Sequence, residues 1–170
     1  GDSARAAEAI AREGHSRAHL GHEGGLVERD AMVYQAARRI ALLRLRRSGE
    51  AWSATVCSGG HPPAFLLRLE EAARPLGQPG SLLGVMDQIE LHDAEIALDR
   101  GDTVLLYTDG VPEARRSGQF YGEARLVQVA EESMGRAAGL AETLLADVLA
   151  FQGGHARDDI AIVAVRVPRT

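Results

Sequence analysis

Hydrophobic residues in this chain recur with two periods, every three to four positions in some stretches and every second position in others, and the switches between them outline its elements. Over residues 3–13, Ala and Ile are spaced as one face of a short helix, with Ser3 as its cap and Gly14 as its stop. Residues 14–28 hold four glycines and three histidines without periodicity and read as loop. The stretch 32–41 suits a helix or a strand, and RIALLRLR over 39–46 reads as a strand flanked by charge. Arg47-Ser48-Gly49-Glu50 is a turn signal, so this strand pairs with the alternating run 51–58 as a hairpin. After the breaker Gly59-Gly60-His61-Pro62-Pro63, residues 64–69 supply a third strand of the same meander. Alternation resumes over 88–98, a turn follows at 99–102, and TVLLYT over 103–108 reads as a buried strand.

Beyond Asp109-Gly110 a polar loop carries Arg115, Arg116, Ser117 and Gly118, and the period then lengthens. Helices are expected over about 122–134, with Leu126, Val129 and Ala130 on one face, and over about 140–151, with Leu144, Leu145 and Val148 inward. Gly153-Gly154 stops the second helix, and residues 160–167 alternate as a terminal strand. Neither a repeat nor a linker interrupts the chain, so residues 1–170 read as a single α+β domain, an antiparallel meander with helices packed against it.

Composition narrows the chemistry more than the fold. The 170 residues, 45% hydrophobic and 25% charged, suit an ordinary globular core. A net charge of −5 and scattered basic residues leave no electrostatic footprint for nucleic acid. All nineteen basic residues are Arg, which removes Schiff-base and phosphate-loop lysine chemistry. The single cysteine, Cys57, supports neither a disulfide framework nor a Cys/His zinc site. No stretch reaches the roughly 20 apolar residues of a membrane span, and no charged-then-apolar leader opens the sequence, so a cytoplasmic location without membrane attachment is expected.

Acidic residues fall where strands end. Asp109 follows the 103–108 strand directly and precedes Gly110, whereas Asp158 and Asp159 stand just before the terminal strand. If those strands are antiparallel neighbours, the three carboxylates meet at one rim of the sheet. Carboxylates gathered there repel unless a cation lies between them, and a hard divalent ion such as Mg²⁺ or Mn²⁺ suits them. On spacing alone the plainer alternative stands beside this one: Asp-Gly as a turn and Asp-Asp as a solvated loop.

At these residues the chain resembles a known family. LDRGDTVLLYTDGVPEAR over 98–115, followed by FYGEARL over 120–126, is similar to the signature of bacterial metal-dependent serine/threonine phosphatases of the SpoIIE/RsbU type, within the protein phosphatase 2C superfamily. SGGHPPAFLLR over 58–68, GSLLGV over 80–85 and ARDDIAIVAVR over 156–166 occur in the family's order. The match covers residues 39–170, and residues 1–38 are the divergent or truncated part.

The resemblance implies an α-β-β-α layered sandwich that hydrolyses phosphoserine or phosphothreonine on a protein with two Mn²⁺ or Mg²⁺ ions. It assigns Asp109 and Asp158 as metal ligands, with Asp159 and Gly110 beside them. No protein nucleophile is required, because the metals activate water for in-line attack on phosphorus. The substrate implied is a phosphorylated anti-anti-sigma-type regulator in bacterial signalling. The family draws further ligands from a Gly-Asp-x-x-Gly-x-Gly type motif and an earlier acidic strand. Here Gly1-Asp2 supplies only the opening letters, which leaves Asp2 as a candidate and the upstream half of the site unidentified. A second expectation follows, a catalytically inactive relative that binds a regulatory partner with the same surface.

Three other features have plain readings beside functional ones. Cys57 and His61 could form a nucleophilic pair, but the strand's alternation buries Cys57 as a small hydrophobe and His61 sits in a turn. His15, His19 and His22 lie among glycines and read as solvated loop. Arg115 and Arg116 follow the Thr-Asp-Gly segment, where they either meet a phosphate or acidic surface or are solvated.

Overall fold

Alternating stretches of the sequence become two four-stranded sheets and a small hairpin, and the longer-period stretches near the C-terminus become two helices. The computed structural model describes residues 29–36, 39–82, 90–134 and 139–169. The expected helix over 3–13 and loop over 14–28 lie outside the described residues. The chain divides into two compact units, one containing the described residues up to 63 and those from 76 to 100, the other those from 64 to 75 and from 101 to 169.

In the first unit the strands are β1 (Arg29–Ala36), β2 (Arg39–Ser48), β3 (Ala51–Gly59) and, after two strands of the other sheet, β6 (Ala94–Leu98), in the order β1-β2-β3-β6. The expected hairpin is present, with Arg47 opposite Trp52 and Ser48 opposite Ala51 across a turn in which Gly49 has φ +60°. The ambiguous 32–41 stretch contributes a strand, β1, paired to β2. Ile40 to Leu43 of β2 and Ala54 to Ser58 of β3 are buried without alternation, so both faces of the sheet are covered there, while the strand ends near the turn are exposed. The alternation over 88–98 yields a strand only from Ala94, and residues 83–89 lie outside the described residues.

The second sheet has the order β10-β7-β4-β5, from β4 (Ala64–Leu67), β5 (Arg74–Leu76), β7 (Thr103–Tyr107) and β10 (Ile162–Arg166). This corrects the expectation that residues 64–69 continue the first meander. Pro62 and Pro63 donate no ladder hydrogen bond and Gly60 turns the chain at φ +64°, so β4 starts afresh beside β7.

Helices α1 (Glu123–Ser133) and α2 (Leu140–Gln152) belong to the same unit. Their Leu126, Ala130, Leu144 and Val148 share a core with Phe65, Leu67, Leu105 and Tyr107, in which the Phe65 and Tyr107 rings stack 6.0 Å apart. Complete burial of one leucine contributes roughly 1.5–3 kcal/mol, so this cluster anchors the helices to β4 and β7. Helix α2 buries Leu140, Leu144, Val148 and Gln152, a spacing of four, and Leu145 is exposed, correcting its assignment to the inner face. Adjacent residues on a helix point about 100° apart, so Leu144 and Leu145 do not share one narrow face. Gly153 closes α2 in the left-handed conformation at φ 83°, with Gly154 N–H donating to Leu149 O at 2.8 Å. The loop expected at 115–118 is a hairpin of β8 (Arg115–Arg116) and β9 (Gln119–Phe120).

Candidate metal centre

Strands β7 and β10 are antiparallel neighbours, with Ile162 opposite Tyr107 and Arg166 opposite Thr103. The end of β7 therefore lies beside the start of β10, as the spacing of the acids requires. Pairing extends past the strands through Thr108. Its N–H donates to Ala161 O at 3.0 Å, its hydroxyl donates to Asp159 O at 3.0 Å, and the same oxygen accepts from Ala161 N–H at 2.9 Å. Three hydrogen bonds from one buried residue thus clamp the segment carrying Asp158 and Asp159 against the segment carrying Asp109.

Gly110 makes this approach possible. A Cβ there would lie 2.4 Å from Asp159 O, a backbone atom, so any larger residue would separate the two segments. A compact turn follows, with Val111 N–H donating to Thr108 O and Glu113 N–H donating to Asp109 O, and fully buried Val111 pins it to the core. Asp109 is half-buried, and Asp158 and Asp159 are exposed. Asp158 Oδ1 accepts from Asp159 N–H at 2.8 Å, which orders its carboxylate.

The clamp joins the two carboxylate-bearing segments, but among the described residues no three His, Cys, Asp or Glu side chains form a group suited to a metal ion. The donors here are carboxylate oxygens with backbone carbonyls nearby, hard ligands of the kind Mg²⁺ and Mn²⁺ take. Their chemistry fits one side of such a centre. Asp2, His15, His19 and His22 lie outside the described residues.

The remaining candidates resolve differently. Arg115 and Arg116 are exposed on β8, with the Arg115 guanidinium 4.2 Å above the Phe120 ring. Cys57 and His61 are not a nucleophilic pair. Cys57 is buried and its thiol is pushed up to about 11, first by desolvation and then by nearby Asp93, so it stays protonated at neutral pH. His61 directs Nδ1 to Pro62 O at 3.0 Å, and its own carbonyl accepts from the Ser58 hydroxyl at 2.8 Å. That segment is locked to the one beginning at Gly80. Gly60 N–H donates to Gly80 O, and a Cβ on Gly80 would stand 2.0 Å from Ser58 O. Two of the collinear motifs thus meet through glycines.

Sequence reasoning missed three supports. Asp102, read as a turn residue, is buried and accepts a bidentate pair from Arg68, with Nε at 3.1 Å and Nη2 at 2.9 Å. Tyr107 donates to Glu123 at 3.2 Å, linking the last residue of β7 to α1, and burial followed by that carboxylate pushes its hydroxyl pKa up. Asp147 of α2 accepts from the Tyr121 hydroxyl at 2.7 Å and from both arms of Arg125 at 2.9 and 3.0 Å. Arg125 holds that carboxylate below its ordinary range. Only charges at i, i+3 or i, i+4 on one helix signal such pairs in a sequence, and these partners stand 16 to 34 positions apart.

The family model for Stage II sporulation protein E (SpoIIE) matches residues 5–168. The chain belongs to this family. It is similar to phosphoserine phosphatase RsbU of Bacillus subtilis, with 26% identity over 114 residues that cover 66% of this chain and 34% of that protein. The curated relatives it matches are longer, and the match spans 17% of one and 34% of the other. Among solved structures, it resembles the SiaA-PP2C domain of Pseudomonas aeruginosa at TM-score 0.62 and 21% identity, covering 75% of this chain and 51% of that one. It also resembles the PP2C phosphatase domain with a fragment of the regulatory domain of SpoIIE from Bacillus subtilis, at TM-score 0.63 and 17% identity, covering 76% and 38%. At these identities the likeness shows the fold, and the fold is the protein phosphatase 2C type. The family model bears out the family resemblance read from the sequence, and the solved structures bear out the α+β fold.

Proposed function

We propose that this chain is a cytoplasmic, Mn²⁺- or Mg²⁺-dependent phosphatase domain that hydrolyses phosphoserine or phosphothreonine on a regulatory protein, an anti-anti-sigma-type partner by family analogy. The reading treats residues 1–170 as one phosphatase-like domain. The observation that carries it is the clamp between the end of β7 and the approach to β10, found in a chain of the SpoIIE family. Among the described residues no helix is long and apolar enough to cross a membrane.

In this reading Asp109 and Asp158 hold the metal, with Gly110 and Asp159 shaping their surroundings, and Asp2 is a further candidate. Two divalent cations, when bound, supply Lewis acidity that makes water nucleophilic at neutral pH and offsets charge on the phosphate oxygens. The chain's own residues contribute placement. Thr108 fixes the spacing of the two acidic segments, the Val111 turn holds Asp109 at a rigid strand end, and the Asp159 N–H orders the Asp158 carboxylate. No side chain is assigned as nucleophile.

Phosphate release from p-nitrophenyl phosphate, with and without Mn²⁺, tests the reading in the parent chain and in Asp109→Asn and Asp158→Asn. Manganese-dependent turnover that both substitutions abolish is expected. Absence of turnover together with absence of calorimetric Mn²⁺ binding would overturn it in favour of a partner-binding relative without a dinuclear centre.

A further inference from the structure

The β8–β9 hairpin stands out from the rest of the described surface. Its turn residues Ser117 and Gly118 have φ 50° and 82°, both positive, the geometry of a tight two-residue turn whose twist matches the flanking strands. Its base is fastened by Tyr121 N–H to Ala114 O at 2.7 Å and Gly122 N–H to Pro112 O at 2.9 Å, and Tyr121 is buried and bonded to Asp147. The tip is thus presented on a stiff stem rather than on a loose loop, so little ordering entropy is lost when it binds.

The chemistry of that tip is unusual for this chain. Phe120 is 54% exposed, and the Arg115 guanidinium lies over its ring. Arg47, Arg68, Arg100 and Arg125 each pair with a carboxylate, whereas Arg115 and Arg116, like the scattered Arg74, Arg157 and Arg169, have none among the described residues, and only on the hairpin do two such groups stand side by side next to an exposed aromatic ring. The hairpin sequence Arg115-Arg116-Ser117-Gly118-Gln119-Phe120 contains no acid. Nearby Glu113 is exposed one position before Ala114, while Glu123 and Asp147 are engaged by Tyr107 and by Tyr121 with Arg125. A protein of net charge −5 repels acidic partners in general, so two unpaired guanidinium groups beside an exposed ring form a local attractive site. Guanidinium forks pair with carboxylates and phosphates, and exposed Arg and aromatic residues are the common anchors of protein recognition.

We propose that this hairpin docks an acidic segment of the phosphoprotein substrate, outside the residues that react with phosphate. Asp109 and the hairpin belong to one hydrogen-bonded stretch, since Asp109 O accepts from Glu113 N–H and Pro112 O accepts from Gly122 N–H. Docking on the hairpin therefore tethers substrate to the segment that carries Asp109. The inference rests on the phosphatase reading for the identity of the partner, but its binding test does not require turnover.

The test uses two fluorescein-labelled phosphoserine peptides on the full chain, one with four aspartates beside the phosphoserine and one with alanines there. Anisotropy is read in EDTA, and p-nitrophenyl phosphate turnover is read separately in Mn²⁺. The parent chain is expected to bind the acidic peptide at least fivefold more tightly than the neutral one. Arg115→Gln/Arg116→Gln should erase that preference, and Phe120→Leu should weaken it in part, with circular dichroism and p-nitrophenyl phosphate turnover unchanged. Equal binding of both peptides by the parent chain, or a preference that survives the double substitution, overturns the proposal. So does displacement of the acidic peptide by a single-stranded oligonucleotide of equal charge at the same concentration as by unlabelled peptide, which marks a nonspecific polyanion site. Loss of turnover in the parent chain with the peptide preference intact would instead count against the phosphatase reading alone.

Discussion

Replacing Thr108 with Val tests whether the acidic segments are held together by one hydroxyl. Valine keeps the shape of threonine and its strand preference, so the change removes hydrogen bonds with little change in packing. Thr108 is 4% exposed, and its hydroxyl makes two bonds, to Asp159 O at 3.0 Å and from Ala161 N–H at 2.9 Å. An unpaired buried backbone group costs about 1–3 kcal/mol. Asp159 is exposed, so its carbonyl recovers water and falls at the low end, whereas half-buried Ala161 loses more. The expected destabilisation is about 2 kcal/mol in all. Urea unfolding followed by far-UV circular dichroism should show a lower midpoint at an unchanged slope. Mn²⁺ affinity measured by calorimetry should fall about tenfold, because the spacing of the carboxylates relaxes. Thr108→Ser restores the hydroxyl and should recover both properties. A change in stability below about 0.5 kcal/mol, the scatter of ordinary surface substitutions, would refute the clamp. A destabilised protein with unaltered Mn²⁺ affinity would refute its positioning role.

Gly110→Ala places a Cβ 2.4 Å from the Asp159 carbonyl oxygen, so urea unfolding should report a loss of roughly 1–3 kcal/mol and p-nitrophenyl phosphate turnover should fall with it. Asp147 is held below its ordinary carboxylate range, chiefly by Arg125, so it stabilises the fold at neutral pH, and that contribution is lost as pH falls through its depressed folded value. Acid unfolding from pH 5 to 2 should therefore be shallower in Asp147→Asn than in the parent chain. Burial raises the Cys57 thiol to about 11, so it should resist dithionitrobenzoate at pH 8 in the native protein and react at once in denaturant.

Period-two alternation is enough to locate β3 and β10, and short apolar runs bounded by turn residues are enough to locate β2 and β7. Neither signal assigns strands to sheets. Residues 64–67 are as apolar as β3, and only the refusal of Pro62 and Pro63 to continue a ladder separates them, a constraint that says where pairing stops but not where it resumes. The hairpin at 115–120 escaped because two-residue strands carry no measurable period, although Ser-Gly between them is a recognised turn pair. Hydrophobicity alone turns Leu145 inward, whereas its angle around the helix, one position past Leu144, leaves it exposed.

The site was legible in its acids and illegible in its supports. Asp109, Asp158 and Asp159 announce themselves by sitting where strands end, and the register of β7 with β10 follows once those strands are taken as neighbours. Thr108 gives no such signal, since a threonine at the end of a strand is ordinary and its hydroxyl finds Asp159 O and Ala161 N–H only after pairing has occurred. Gly110 reads as a turn glycine, yet its structural demand comes from the carbonyl of Asp159, some fifty positions away. The Thr-Asp-Gly segment is thus one device in three parts: a clamp, a carboxylate, and an absence of side chain that lets the neighbouring segment close. Loss of the carboxylate would leave a well-folded rim without its charge, whereas loss of the clamp or of the glycine would leave the charge without its spacing. The three substitutions should separate in their effects on stability and on metal affinity, and that separation distinguishes a positioned site from a merely acidic edge.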